Sequence, residues 1–163
     1  MDLPSNGEIQ AALLALAQRT EGEGRTSRLR HMRTRALQVM RELSAFSPRL
    51  IGSVATGHIR RGSDIDVQLF AEDVDAPERR LKELGWPHER RDVQIRRGNV
   101  WHEYVHLLVE EDDPIELTIY PRSELRVRPR SSTDGKPIQR LGITELQRLI
   151  QREHGSEAVT EPA

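Results

Sequence analysis

The chain has 163 residues, of which 31% are charged and 36% hydrophobic, and this predicts one soluble domain with a sizeable core. It contains no cysteine, which excludes disulfides and cysteine–zinc sites, and its net charge of -1 gives no overall attraction to nucleic acid. No apolar run is long enough to span a membrane, and no signal-peptide pattern opens the chain. We therefore expect a cytoplasmic protein without a membrane partner.

The first part of the chain predicts two helices separated by a break. Apolar residues recur at helical spacing over residues 7–19, which predicts a short helix there. The glycine-rich run 21–24 is expected to end this helix. Thr26 or Ser27 is then expected to cap a second helix, because a side-chain oxygen at that position can accept a backbone N–H.

The second predicted helix has an apolar face and a basic face. The apolar stripe comprises Leu29, Met32, Ala36, Val39, Met40, Leu43 and Phe46. The opposite face carries Arg28, Arg30, Arg33, Arg35 and Arg41. These arginines fit either a nucleic-acid contact or a solvated helix surface, and we favour the solvated surface.

A glycine–serine turn followed by two carboxylates is the main motif of the sequence. Gly52 and Ser53 follow an apolar run, where a strand can turn sharply and present backbone N–H groups. In the next strand, expected over about residues 64–70, Asp64 and Asp66 lie on one face because strand side chains alternate. Neighbouring carboxylates repel each other, so the pattern predicts a divalent metal beside them and a phosphate at the turn.

The rest of the chain predicts a helix, three strands and a last helix. The expected elements are a helix from about Asp75 to Gly85, strands over 91–97, 100–109 and 115–120, and a C-terminal helix with Thr144 and Gln147 as its capping box. A bulge is expected near His102. The acidic turn 110–113 is expected to join the last two strands as a hairpin.

These residues resemble the signature of the DNA polymerase beta-type nucleotidyltransferase superfamily, most closely its minimal nucleotidyltransferase branch. The matching residues are Gly52, Ser53, Ala55, Gly57, Ser63, Asp64 and Asp66. The resemblance covers roughly residues 28 to 120 and implies a polymerase beta-like palm. Such a palm is an α/β (α+β) fold, with a mixed, twisted sheet of four to five strands and helices packed on one face.

The resemblance also implies a third carboxylate on a later strand. Glu116, flanked by Ile115 and Leu117, matches this position, where the family usually has aspartate. Asp64, Asp66 and Glu116 would then be the catalytic residues and the ligands of two Mg²⁺ ions, with Mn²⁺ as a possible substitute. If the apolar residues of both strands face the helices, all three carboxylates face the open side of the sheet.

Nucleotide-binding residues are implied around the same turn. Gly52 and Ser53 would hold the β- and γ-phosphates of a nucleoside triphosphate through backbone N–H groups and the serine hydroxyl. The full set of nucleotide-binding candidates is Gly52, Ser53, Arg60, Arg61, Ser63 and Lys136. Its basic members would balance the charge of the triphosphate.

The activity implied by the resemblance is transfer of a nucleoside monophosphate from a nucleoside triphosphate to a hydroxyl acceptor. The acceptor could be RNA, a protein hydroxyl or a small molecule. Only a short segment follows Glu116, so we expect a partner chain or a second copy of this chain to bind the acceptor. The alternative is a catalytically weak nucleotide-binding or partner-binding module, such as one half of a toxin–antitoxin-type pair.

A single nucleotidyltransferase domain is expected over residues 1–154. Its expected parts are an N-terminal helix and linker (1–24), a catalytic core (25–120), a C-terminal extension with a helix (121–154) and, beyond it, a disordered tail (155–163). The histidines His58, His102 and His106 are interpreted as ordinary polar or half-buried residues. Trp86 and Trp101 are interpreted as core residues, because the chain has few aromatics.

Overall fold

A five-stranded mixed sheet organises the computed structural model, which describes residues 5–127 and 138–155. The strands are β1 (Arg49–Ile51), β2 (Ile65–Phe70), β3 (His88–Arg97), β4 (Val100–Val109) and β5 (Ile115–Tyr120). Their order is β1-β2-β5-β4-β3; β2 and β5 run parallel, and the other neighbours are antiparallel. The predicted α/β class with a mixed sheet of four to five strands is confirmed.

In the described residues, α-helices come before, between and after the strands in chain order. They are α1 (Asn6–Glu42), α2 (Gly52–Thr56), α3 (Ala76–Leu84) and α4 (Ile143–His154), with 3-10 turns at Ser44–Phe46 and Arg122–Arg126. None of them combines the length and the apolarity that a membrane crossing needs. Lys136 and the predicted tail, apart from Gly155, lie outside the described residues.

Helix α1 corrects the prediction of two helices separated by a break. It is one helix of 37 residues, and Gly22 and Gly24 lie inside it. Thr26 does not cap a helix, because its hydroxyl donates to the Gly22 carbonyl at 2.9 Å within the same helix. A glycine costs a helix only about 1 kcal/mol relative to alanine, too little to stop one that continues on both sides. The N-terminal cap is Ser5, whose hydroxyl accepts from the backbone N–H of Glu8 at 3.2 Å.

The core lies between the helices and one face of the sheet. The predicted apolar stripe is confirmed at its buried members, Leu29, Met32, Ala36, Val39 and Met40 of α1 and Leu43 directly after it. These residues share one cluster with Ile65, Val67, Leu69, Ile115, Leu117 and Ile119 of β2 and β5, and with Leu81, Leu146, Leu149 and Ile150 of the other helices. Because side chains alternate along a strand, the intervening residues of β2 and β5 lie on the opposite face, which we call the open face.

Helix α3 and the β3–β4 hairpin follow the sequence closely. Asp75 is the N-cap of α3, and Gly85 ends it with a left-handed φ of 72°. Strand β4 has the predicted bounds, but β3 begins at His88, before the predicted residue 91. The predicted bulge near His102 is wrong, because His102 pairs with Ile95 in an uninterrupted one-to-one register.

The start of α4 corrects the predicted capping box of Thr144 and Gln147. The helix begins at Ile143 with Gly142 as its N-cap, and Glu145 Oε1 accepts from the Gly142 backbone N–H at 3.3 Å. The carboxylate of Glu145 therefore takes the role assigned to Gln147. Glu145 and Gln147 both lie near the start of the helix, and either could form a capping box. The hydrogen bond from Gly142, three residues earlier, shows that Glu145 does so.

Candidate active site

The three predicted carboxylates lie together on the open face. Asp66 of β2 and Glu116 of β5 are direct partners in the parallel register of the two strands. Asp64 lies just before β2, two residues from Asp66 on the same side of the chain. One oxygen from each of these side chains lies within 4.8 Å of the others. The sequence therefore brings three acidic groups into a space small enough for a shared cation.

The electrostatics of this cluster favour a cation. The pKa of Asp66 is raised from 3.8 to about 7, first by burial, then by the charges of Glu116 and Asp64, and last by a hydrogen bond with Glu116. The cluster thus resists full ionisation at neutral pH unless positive charge enters it. Carboxylate oxygens are the donors that Mg²⁺ and Mn²⁺ prefer, so the donor set fits the predicted metal.

Gly52 allows the glycine–serine turn to lie directly against Asp66. Its φ is +76°, a left-handed conformation that favours glycine. A Cβ at this position would lie 2.7 Å from Asp66 Oδ2, closer than any ordinary contact. The sequence predicted a glycine requirement from an approaching phosphate, and the contact with Asp66 is an additional reason for it. Ser53 follows in α2, half-buried beside the same turn.

Arg33 anchors the helix that carries the turn. The side chain is only 1% exposed, and it donates from Nε to the Val54 carbonyl at 2.9 Å and from Nη2 to the Ala55 carbonyl at 3.2 Å. Its Nη1 contacts Glu153 Oε2 at 2.5 Å, so one guanidinium joins α1, α2 and α4. The interpretation of Arg33 as a solvated residue is wrong. Arg33 lies four residues after Leu29 and therefore on the same helix face as the apolar stripe. This position is the sequence signal that could have indicated the burial of Arg33.

Arg35 also makes intramolecular contacts instead of facing solvent freely. Its guanidinium forms two hydrogen bonds to Glu111, one of them from Nε at 2.8 Å. It also lies 5.3 Å from the centre of the Trp86 ring, which packs against the core as predicted. A nucleic-acid contact through this part of α1 would have to compete with these partners.

The loop that leads from α2 to Asp64 contains three more of the predicted nucleotide-binding residues, Arg60, Arg61 and Ser63. Ser63 closes a turn, since its hydroxyl accepts from the Arg60 backbone N–H at 2.8 Å. Arg28 reaches the same turn and donates to the Arg60 carbonyl at 3.1 Å. The side chains of Arg60 and Arg61 line a cavity of about 750 Å³ between this loop and α1. None of the three carboxylates lines this cavity.

His106 contacts one of the three carboxylates, which the sequence did not predict. Its Nδ1 lies 2.8 Å from Glu116 Oε1. On β4 it is opposite Thr118, the open-face residue that follows Glu116 along β5. Extending the register of the predicted hairpin from Val109 and Ile115 would have placed His106 in this neighbourhood. Trp101 corrects another prediction, because it is 62% exposed and not a core residue.

Comparisons with known proteins add little to this geometry. No family model matches the chain, and no curated protein matches it. A solved structure titled "structure of GLD-2/RNP-8 complex" contains a similar chain, with 16% sequence identity and a TM-score of 0.35. The similarity covers 64% of this chain and 43% of that chain, so this chain spans less than half of its length. Any functional interpretation therefore rests on the residues of the site.

Proposed function

We propose that the protein is a nucleotidyltransferase that transfers a nucleoside monophosphate from a nucleoside triphosphate to a hydroxyl acceptor. The observation that carries this proposal is the cluster of Asp64, Asp66 and Glu116, whose oxygens lie within 4.8 Å of one another. The glycine–serine turn in contact with that cluster supports it, because a triphosphate needs a binding turn next to the metal ligands. Both features belong to the motif that resembles the polymerase beta-type superfamily.

The three carboxylates would hold Mg²⁺ or Mn²⁺. When bound, such ions would supply the positive charge that balances the triphosphate and lower the pKa of the attacking hydroxyl. Asp64 and Asp66 would serve as ligands beneath the triphosphate. Glu116 would lie nearest the acceptor and help to take the proton that the hydroxyl loses. The raised pKa of Asp66 supports cation binding at the cluster, because a bound cation would stabilise the ionised form of this carboxylate.

The phosphates would be bound by the turn and its flanking loop. Gly52 and Ser53 would bind the β- and γ-phosphates through backbone N–H groups and the serine hydroxyl. Arg60 and Arg61 would contribute positive charge from the loop, and Ser63 would keep that loop closed through its bond to Arg60. Lys136 remains a sequence prediction, since it lies outside the described residues.

The second candidate is a partner-binding module with weak or no catalysis. The observation that favours it is the first half of α1, which is exposed along its length and carries Ile9, Leu13, Leu14 and Leu16. These apolar side chains are 43 to 61% exposed, as expected for a surface that another chain covers. The two candidates are compatible if a partner chain or a second copy also binds the acceptor.

A transfer experiment separates the two candidates. The protein is incubated with each labelled nucleoside triphosphate, Mg²⁺ and a cell extract that supplies acceptors. We expect label transfer by the wild-type protein and none by the double variant Asp64→Asn, Asp66→Asn. If every triphosphate raises the melting temperature but none is transferred, the binding module is favoured. If no triphosphate with Mg²⁺ changes the melting temperature, the proposed nucleotide site is wrong.

A further inference from the structure

We infer that His106 is a positioning residue that holds the carboxylate of Glu116 in place for cation binding. The inference rests on the proposed function and extends it to a residue outside the motif. Its basis is the 2.8 Å contact between His106 Nδ1 and Glu116 Oε1. A ring N–H at this distance donates to a carboxylate oxygen, and it leaves the second oxygen of that carboxylate for another partner.

Glu116 needs such a partner more than the two aspartates do. Its side chain has one more rotatable bond than that of Asp64 or Asp66, so its oxygens can reach more positions. In the structure it lies beside Asp66, its partner in the strand register, and contacts His106 on the neighbouring strand. Asp66 repels Glu116 when both are ionised, whereas the charge of Arg91 attracts the carboxylate from a distance and the His106 ring contacts it directly.

His106 is itself held firmly. It lies within the β4 ladder between β3 and β5, opposite Arg91 on one side and Thr118 on the other. Its side chain is 17% exposed, compared with 28% for Glu116. Arg91 does not replace it, because the Arg91 guanidinium donates from Nε and Nη2 to Glu89 at 3.1 and 3.2 Å. The rigid strand thus orients the ring, and the ring orients the flexible glutamate.

The directly opposite residue on β4 cannot do this. Leu108 is paired with Glu116 in the register, but its side chain is apolar. The diagonal position of His106 supplies the polar contact instead, and diagonal neighbours across strands are within reach of long side chains. Substitution of His106 should therefore act through Glu116 and not through the core.

Metal affinity measured by calorimetry with Mn²⁺ tests this inference directly. His106→Leu removes the N–H donor, and His106→Asn places an amide nitrogen near the position of Nδ1. Loss of such supporting contacts typically lowers metal affinity by about 10- to 100-fold. We expect at least about a tenfold loss in His106→Leu and recovery to within about threefold of wild type in His106→Asn. His102→Leu, on the same strand and exposed, is the matched control and should leave the affinity unchanged.

The Glu116→Asp background shows whether His106 acts through the glutamate. An aspartate is too short to keep the contact, so adding His106→Leu to Glu116→Asp should change Mn²⁺ affinity by less than about threefold. Equal Mn²⁺ affinities of wild type and His106→Leu would overturn the inference. An equal loss in both backgrounds would also overturn it, because His106 would then act on the fold. If wild type itself binds no Mn²⁺ with or without a triphosphate, the proposed function fails instead.

Discussion

The inner and open faces of the sheet are built from alternate residues of the same two strands, yet they have opposite energetic roles. On the inner face, Ile65 and Leu117 are fully buried in the core. On the open face, Asp66 and Glu116 are half-buried neighbours of like charge. Core residues stabilise the fold, whereas a cluster of acids destabilises it until a cation binds. The proposed function would explain why these acidic residues are present on the open face despite that cost in stability.

The largest effect should come from the inner face. Leu117 has no exposed surface, and Leu117→Ala is expected to lower the free energy of unfolding by about 2–5 kcal/mol through lost burial and a cavity. Thr118→Ala, the next residue and on the open face, should cost less than about 1 kcal/mol. Urea unfolding of both variants measures the difference. Similar losses for the two would contradict the separation of the faces.

The second prediction concerns turnover at Glu116. Glu116→Gln keeps the side-chain shape and removes the charge, so triphosphate affinity should stay within about tenfold of wild type, or about 1.4 kcal/mol. Transfer should fall at least about 100-fold, because proton and metal chemistry at this carboxylate is lost. Glu116→Asp should retain activity or raise it. Calorimetry and pyrophosphate release on the same three proteins provide the test, and equal turnover in wild type and Glu116→Gln would exclude the assigned role.

The third prediction uses two glycines with similar backbones and different surroundings. Gly52 and Gly62 have φ of +76° and +85°, so alanine at either should cost about 1 kcal/mol in backbone strain. A Cβ at Gly62 would meet nothing within 4 Å, whereas at Gly52 it would meet Asp66 Oδ2 at 2.7 Å. The carboxylate must then move. Gly52→Ala should therefore lower Mn²⁺-dependent triphosphate affinity by about tenfold, as misplaced supporting groups do at metal sites.

Gly62→Ala is the matched control for this measurement and should bind normally in calorimetry. If Gly52→Ala also binds normally but unfolds more easily than Gly62→Ala, Gly52 serves packing alone.

Local alternation explains why the sequence could predict that the three carboxylates share one face of the sheet. Asp64 and Asp66 are separated by one residue, and Glu116 stands between two apolar residues, so the face of each depended only on strand parity. The pairing of β5 with β2, which brings Glu116 beside Asp66, is a distant contact that the hairpin does not determine. The position of the third carboxylate was expected from the family resemblance instead.

Features that depend on distant partners could not be predicted in this way. Burial of Arg33 depends on carbonyls of α2 and a carboxylate of α4, far away in the chain. The register of the predicted hairpin could have placed His106 near Glu116, but it could not show that the two side chains are in contact. The continuity of α1 through Gly22 and Gly24 depends on a balance of small energies that residue type alone does not decide.

The last prediction concerns the pH dependence of the open face without metal. The folded-state pKa of Asp66 is about 7, above its ordinary value of 3.8, chiefly because of burial and then Glu116. The folded state therefore binds a proton that the unfolded state has already released. Stability from this group is fully present below pH 3.8, falls as pH rises through the interval up to about 7, and levels off above it. After allowance for solvent screening, the loss should be on the order of 1–2 kcal/mol.

Asp66→Asn removes this titration while keeping the shape of the side chain. In the presence of a chelator, we expect wild type and Asp66→Asn to have similar free energies of unfolding near pH 4. Near pH 8, Asp66→Asn should be more stable than wild type by on the order of 1–2 kcal/mol, because only the wild-type side chain becomes charged. Mn²⁺ at pH 8 should stabilise wild type and reduce the difference, since cation binding offsets the repulsion. Urea unfolding at several pH values measures both trends. A difference between the two proteins that does not change with pH would show that Asp66 has the same pKa in the folded and unfolded states, and the acidic cluster would then not destabilise the fold at neutral pH.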